Sequence, residues 1–351
     1  MERSTLAAYA QQLQSCLQWD PLASSEGQDK RQFVEALTEI AALPLDSISM
    51  EIRRLLVASP VGNTSQALED EEEQEETPFA IGDQPPMQQN VHLQNVMAAL
   101  RARDVQLKCK AANAVGSLCI SRVAGQQLLD LYGEEVLRSV GKMATCRNQW
   151  AQGDAFFVLG WIVVIADEDT LATIGQLLPS VVKGLHRNIN LLDVDQEGVK
   201  DSQTNSARVA LASSEQASNF RVYALVLLLN VSQRHVELLE NLLDKLLKML
   251  KDLVAKLLDS APMSVADDMV TATTFFEPSE YAEVVRLAVT LLSVLVDQLE
   301  SAAPLLLEMK MLPSLLKLKQ VLSADQVDDD NGTQDVTERL EALVGTLLNS
   351  R

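Results

Sequence analysis

The chain has 351 residues, a formal net charge of -20 and 22% charged residues, so it reads as a soluble acidic protein long enough for two ordinary domains or one extended array. The acidic balance excludes broad nucleic-acid binding, which needs a basic surface. Only 4% of residues are aromatic while Leu, Ala and Val dominate, and alternating β-branched runs are scarce, so an all-α fold is expected. The four cysteines, Cys16, Cys109, Cys119 and Cys146, have no framework spacing and read as free thiols of a reducing compartment.

Residues 1–65 open with three helical patterns, Leu6 to Trp19, Lys30 to Leu43 and Ser47 to Val57, with Pro44 separating the second from the third. Ser4 is a candidate cap of an amphipathic first helix, which differs from the apolar block of a signal peptide. The longest apolar run, Ala155 to Ala166, is shorter than the roughly 20 residues that cross a bilayer. No membrane association is expected, and the expected location is cytoplasmic or nuclear. Residues 66–90 hold Glu69 to Glu73, Glu75 and Glu76, then Pro78, Pro85 and Pro86, the composition of a disordered acidic linker.

From Val91 the chain repeats itself. Lys110 to Leu118 and Asp154 to Ile162 carry Ala, aliphatic, Gly and aliphatic residues in register, about 44 residues apart. Each is followed by a second apolar helix pattern, Glu135 to Val140 and Ser180 to Leu185. Later copies of the second pattern are Leu243 to Leu250 and Leu312 to Lys319, and an earlier one is Leu93 to Leu100. The Leu-Pro-Ser turns at Leu178 and Leu312 are 134 residues apart, close to three such periods. Phe220 to Val231 and Val284 to Leu299 supply the first helices of the later units. A repeated helix pair of this period is the mark of an α-solenoid. Polar insertions are expected at 189–219 and 259–283, and residues 324–351 read as an acidic break followed by a capping helix, Val336 to Leu348.

These units, over roughly residues 91–322, resemble armadillo repeats or the related HEAT repeats, most closely at Leu228-Leu229-Asn230-Val231 and Met311 to Lys317. The resemblance implies an armadillo-like right-handed α-solenoid of about five units, with third helices lining a concave face. The Gly that should precede the third helix is visible as Gly133 and Gly175 alone, so the units are degenerate, and residues 28–58 form a candidate further repeat.

Stacking the third helices puts Ala98, Arg138, Lys183, Lys248 and Lys317 in one column, four of them basic in an acidic chain. From Val91 to Asn188 there are ten Lys and Arg against eight Asp and Glu, so the acidic excess lies elsewhere. A groove with this basic column suits a protein partner, as an acidic or extended peptide segment. Lysines near helix C-termini also serve as solvated dipole partners. Trp150, beside Arg147 and Asn148, is a further candidate contact. The acidic linker is a possible competitor for the groove.

The Trp and Asn pairs by which nuclear-import receptors of this family hold basic cargo are missing, because Trp19, Trp150 and Trp161 are followed four residues on by Ala23, Asp154 and Ile165. Calcium-loop patterns starting at Asp193 and at Val327 each lack an essential ligand, Thr204 standing at the twelfth position of the first. His92, His186 and His235 show no zinc spacing. With no nucleotide-binding loop, nucleophile elbow or H-E-x-x-H motif, neither enzyme activity nor a cofactor is expected. The resulting expectation is a non-enzymatic scaffold. The family resemblance also implies an alternative, an exchange factor for a chaperone or small GTPase, and a structural subunit of a larger assembly is a third option.

Overall fold

A computed structural model describes residues 3–22, 27–58, 90–190, 214–260, 278–324 and 331–350, and among them every regular element is helical. The acidic stretch Glu69 to Glu76 and most of both insertions lie outside the described residues. In chain order the helices are α1 (Arg3–Cys16), α2 (Gln28–Ala41), α3 (Ser47–Val57), α4 (Val91–Leu100), α5 (Val105–Ile120), α6 (Arg122–Ala144), α7 (Gln149–Ile165) and α8 (Glu168–Asn190). They continue as α9 (Ser214–Arg234), a 3-10 turn (Val236–Leu242), α10 (Leu243–Asp259), α11 (Pro278–Gln298), α12 (Ala302–Glu308), α13 (Leu312–Ala324) and α14 (Asn331–Asn349).

Side-chain caps fix several starts. Asp104 accepts from the amides of Gln106 and Leu107 at 3.0 and 3.3 Å, and Asn148 accepts from that of Ala151 at 3.1 Å, each satisfying orphan donors of a first turn. These two caps are 44 residues apart, the period of the repeat. Asp46 and Asp167 cap α3 and α8 in the same way, and the hydrogen bonds hold both carboxyls below the usual carboxylate range.

Three sequence expectations fail inside helices. Gly133 and Gly175 interrupt nothing, and Leu178-Pro179-Ser180 is no turn, because α6 and α8 each run unbroken for 23 residues. Pro179 removes one ladder donor, yet it faces solvent, where water can take the freed carbonyl. Around it Leu171, Ile174, Leu178, Val181, Val182, Leu185 and Ile189 bury one continuous stripe that holds both halves in line. Packing therefore overrides the local breaker. Pro313 lies in the first turn of α13, where it costs nothing. The chain enters that helix through Lys310, whose φ of 56° makes the only left-handed non-glycine residue among those described.

The chain divides into two compact units, Met1–Gly133 and Glu134–Arg351. In the first, α1 packs on α3, and α2, α3 and α4 pack on α5. Leu13, Leu17, Phe33, Leu37, Ile40, Leu56, Met97, Ala111, Val115 and Leu118 form its dry interior, with Trp19 edge-on to Phe33 at 5.3 Å. Cys109 and Cys119 are buried thiols outside any disulfide, and burial pushes the Cys119 thiol up to about 12. Cys16 and Cys146 are half-buried.

Polar side chains tie the first unit's helix ends together. Asn95 donates to the carbonyl of Leu17 at 2.9 Å, Asn90 to that of Val57 at 3.2 Å, and His92 Nε2 to that of Leu56 at 2.8 Å. Burial holds the His92 imidazole below its ordinary range, the hydrogen bond opposing that shift in part. The unfolded chain therefore takes up the proton first on acidification. Stability should be fully present above about pH 6.5 and fall as pH drops below it, with a slope of at most about 1.4 kcal/mol per pH unit from this group. Urea unfolding of the wild type and His92→Gln across this range should show a shallower acid slope in the variant.

The second unit has two rows of helices. Helices α7, α9, α11 and α14 pack in succession, and α8, α10 and α13 form the other row, with Gly141 of α6 facing Leu177 of α8. Helices α7 and α9 approach closely. A Cβ at Gly153 would come within 3.2 Å of the Phe220 Cα, and the carbonyl of Gly160 accepts from Asn230 Nδ2 at 2.9 Å. Backbone cannot yield as a flexible side chain does. Gly153→Leu should therefore destabilise by about 2–3 kcal/mol. Gly345→Ala, in a helix with nothing within 4 Å of the new methyl, should stabilise by up to about 1 kcal/mol. Urea midpoints of the two variants moving in the same direction would refute this account.

Candidate functional site

The row of α8, α10 and α13 presents a regular outward stripe. On α8 the stripe is Ala172, Gln176, Pro179, Lys183 and Arg187; on α10 it includes Asp244, Lys245 and Lys248; on α13 it is Pro313, Leu316, Lys317 and Gln320. Each helix buries the opposite face, so helical periodicity dictates where these amines point. The His186 Nε2 and Asp252 Oδ2 atoms lie 2.8 Å apart and join α8 to α10 across 66 residues of sequence. Lys183 and Lys248 are 65 apart, so the two amines project from matching turns of neighbouring helices. Lys317 is exposed on α13.

The five-residue column predicted from sequence is reshaped at its start. Ala98 is only 5% exposed, because eight of the ten residues of α4 are buried, and it presents no surface. Arg138 is exposed on α6 but forms an ion pair with Glu134 one turn before it, which offsets its charge. Lys183, Lys248 and Lys317 are all exposed, and among the described residues none of the three forms an ion pair. Two carboxylates moderate the centre: Asp244 and Asp252 sit one turn to either side of Lys248. Lys319 is held by Glu341 of α14 at 2.8 Å. Trp150 is 42% exposed on the first turn of α7, in the other row of helices, and the Trp161 ring is half-buried.

Beneath this surface lies a polar chain that sequence reading missed. Arg221 Nε and Nη2 donate to the two carboxylate oxygens of Glu280 at 2.6 and 2.8 Å, and Nη1 donates to Asn188 Oδ1 at 3.0 Å. Asn188 in turn donates to Gln149 Oε1 at 3.3 Å. All four are buried, and they link α7, α8, α9 and α11. A signal was present in the sequence. Arg221 precedes Ala224, Leu225 and Leu228 at the spacing of one apolar stripe, and Glu280 precedes Val284, Leu287 and Leu291 in the same way.

The histidines are dispersed. His92 and His186 have the partners given above, and His235 Nδ1 lies 3.4 Å from Glu237. Among the described residues no group of three His, Cys, Asp or Glu could hold a metal ion, and no helix is long and apolar enough to cross a membrane. The calcium-like stretch from Asp193 lies outside the described residues, and the one from Val327 lies partly outside them.

No protein-family model matches the sequence, and no curated protein matches it. Solved structures do resemble the fold. One is an engineered protein with a TM-score of 0.53 and 14% identity, covering 95% of this chain and 98% of the other. A computationally designed armadillo repeat protein for modular peptide recognition gives 0.53 at 15% identity, over 94% and 99%. A designed armadillo repeat protein in complex with the peptide (KR)4 gives 0.51 at 16% identity, over 95% and 99%. Likeness at such low identity establishes the fold alone: the chain is an all-α helical-repeat protein of the armadillo type.

Proposed function

We propose that this chain is a non-enzymatic interaction scaffold that holds an extended segment of a protein partner across α8, α10 and α13. The observation that carries the reading is the exposed row Lys183, Lys248 and Lys317, standing on successive helices of a chain whose net charge is -20. A basic row in so acidic a molecule attracts carboxylates locally while the remaining surface repels them, which favours encounter in one register. One structural neighbour is described as designed for modular peptide recognition, and another is in complex with the basic peptide (KR)4. Here the charge on the row is of the sign that an acidic segment would complement. Arg138, with its charge offset by Glu134, and Trp150, on the other row of helices, are placed at the edge of this reading.

The test is selection from a displayed library of random peptides by the wild type and by the triple variant Arg138→Glu, Lys183→Glu, Lys248→Glu. The wild type should enrich acidic peptides and the variant should lose them while keeping its helical circular dichroism, its stability falling by about 1–2 kcal/mol because the new carboxylates face Glu134, Asp244 and Asp252 one turn away. Enrichment of the same peptides by both proteins would overturn the reading.

A further inference from the structure

We propose that the basic face over α8 and α10 binds a phosphate group carried on the partner segment, an inference that rests on the scaffold reading above. One contact fixes the place. His186 Nε2 and Asp252 Oδ2 lie 2.8 Å apart, so these two residues mark where the faces of α8 and α10 meet. A carboxylate only accepts, so Nε2 carries the proton and donates, and the Asp252 carboxylate already holds a donor. Lys183 stands one turn before His186 and Arg187 directly after it, while Lys248 stands one turn before Asp252 and Lys251 directly before it. At a rise of about 1.5 Å per residue, the backbones of all four lie within about 6 Å of the crossing along their own helix axes.

Charge density then separates the candidate anions. Lys183 to Asn190 and Lys245 to Ala255 together hold five Lys and Arg against one acid, Asp252, in a chain of net charge -20. Lys183, Arg187, Lys245 and Lys248 are exposed and Lys251 is half-buried, and among the described residues none of the five forms an ion pair. Asp244 lies two turns from the crossing, about 12 Å along α10, farther than any of the four cations around it. Cations in the last turns of α8 favour its dipole, but Lys245 stands in the first turn of α10, where a cation is disfavoured, so dipole pairing does not account for the cluster. A single carboxylate would leave most of these cations facing one another. A phosphomonoester brings about 1.5–2 negative charges near pH 7 and three acceptor oxygens, enough to meet cations from both helices at once. Arg187 adds the planar fork that pairs with phosphate through two parallel hydrogen bonds, and the lysines serve as point charges.

The test uses the full chain and a fluorescein-labelled acidic peptide whose central residue is serine, glutamate or phosphoserine, with anisotropy as the readout. The phosphoserine form should bind about tenfold more tightly than the glutamate form, the equivalent of one further charge-assisted hydrogen bond or two. Arg187→Gln and Lys248→Gln should each shrink that ratio to about twofold or less, whereas Lys317→Gln, on a helix outside the crossing, should weaken both forms alike and leave the ratio unchanged. Equal binding of the phosphoserine and glutamate forms would overturn the phosphate inference while leaving an acidic occupant in place. Binding of none of the three, with the protein folded by circular dichroism, would overturn the occupant as well. A tenfold ratio that survives in both Arg187→Gln and Lys248→Gln would move the phosphate away from the crossing and overturn the site. Binding to phosphatidylcholine vesicles containing phosphatidylinositol phosphate, with no preference for the phosphoserine peptide, would give the face to a lipid headgroup and overturn the proposal.

Discussion

Replacing Arg53 by methionine should cost the first unit about 2–3 kcal/mol, although among the described residues no carboxylate bonds to this guanidinium. Arg53 is 0% exposed, and its five hydrogen bonds reach four neutral oxygens. Nε donates to the Ser117 carbonyl at 2.8 Å and to Ser117 Oγ at 3.3 Å, and Nη2 donates to that hydroxyl at 3.2 Å. Nη1 donates to the carbonyl of Pro44 at 2.9 Å, and Nη2 to that of Leu43 at 2.6 Å. Burial pushes the guanidinium pKa down, and Asp46, the cap of the same helix, acts against that shift from nearby.

One side chain therefore satisfies the carbonyls just after α2 ends, and anchors α3 to the last turn of α5. Methionine would fill much of the volume but leave the buried Ser117 carbonyl without its donor, at about 1–3 kcal/mol, while the carbonyls of Leu43 and of the exposed Pro44 can turn to water. Ser117 would keep its own bond to the carbonyl of Ile40 at 2.7 Å, so the junction should loosen without losing every tie. Hydrogen exchange should show faster opening of α2, α3 and α5 in the variant, with the amides of α9 and α11 unchanged. An unaltered urea profile would mean that water replaces the guanidinium without loss.

The second large effect belongs to the ion pair of the other unit. Glu280→Gln should destabilise by about 3–5 kcal/mol, because it leaves the Arg221 charge buried without its counter-ion. The double variant Arg221→Met with Glu280→Leu should recover most of that loss, since an apolar pair of similar volume avoids the desolvation of two ions. The contrast between the single and double variants is the measurement. If both are equally unstable, the pair's role would lie in shape alone.

These two arginines show how far the sequence was legible and where it stopped. Ser47 to Val57 was read at both ends as the structure has it, and the repeated Asp104 and Asn148 caps fall on the period that the apolar pattern gave. The fold class followed from the same 3.6-residue pattern, which depends only on which residues are apolar. The interior ties did not follow. Ser49, Ile52, Arg53 and Leu56 share one buried stripe, yet an arginine within such a stripe reads by habit as a solvated neighbour of the face. Its acceptors are carbonyls near residue 43 and residue 117, which no local pattern marks. Pro179 misled in the opposite sense: a strong local breaker was outweighed by the buried stripe on both sides of it, a fact of packing that the dipeptide cannot report.

That Lys183, Lys248 and Lys317 stand exposed was legible, because it needs only the apolar stripe of each helix, whereas the column is a reading of the aligned repeats. Its limits were not legible, since the loss of Ala98 to the interior and the pairing of Arg138 with Glu134 depend on which faces of α4 and α6 are covered.

The placement of the thiols supplies the molecule with its own clock. No cysteine follows Cys146, so a thiol reagent reads only the first part of the chain. Cys16 and Cys146 are half-buried, whereas Cys109 and Cys119 are buried, and Cys119, fully enclosed and with its pKa raised to about 12, can react only when its surroundings part. The rate of its alkylation under native conditions therefore times the spontaneous opening of the N-terminal unit without any engineered probe.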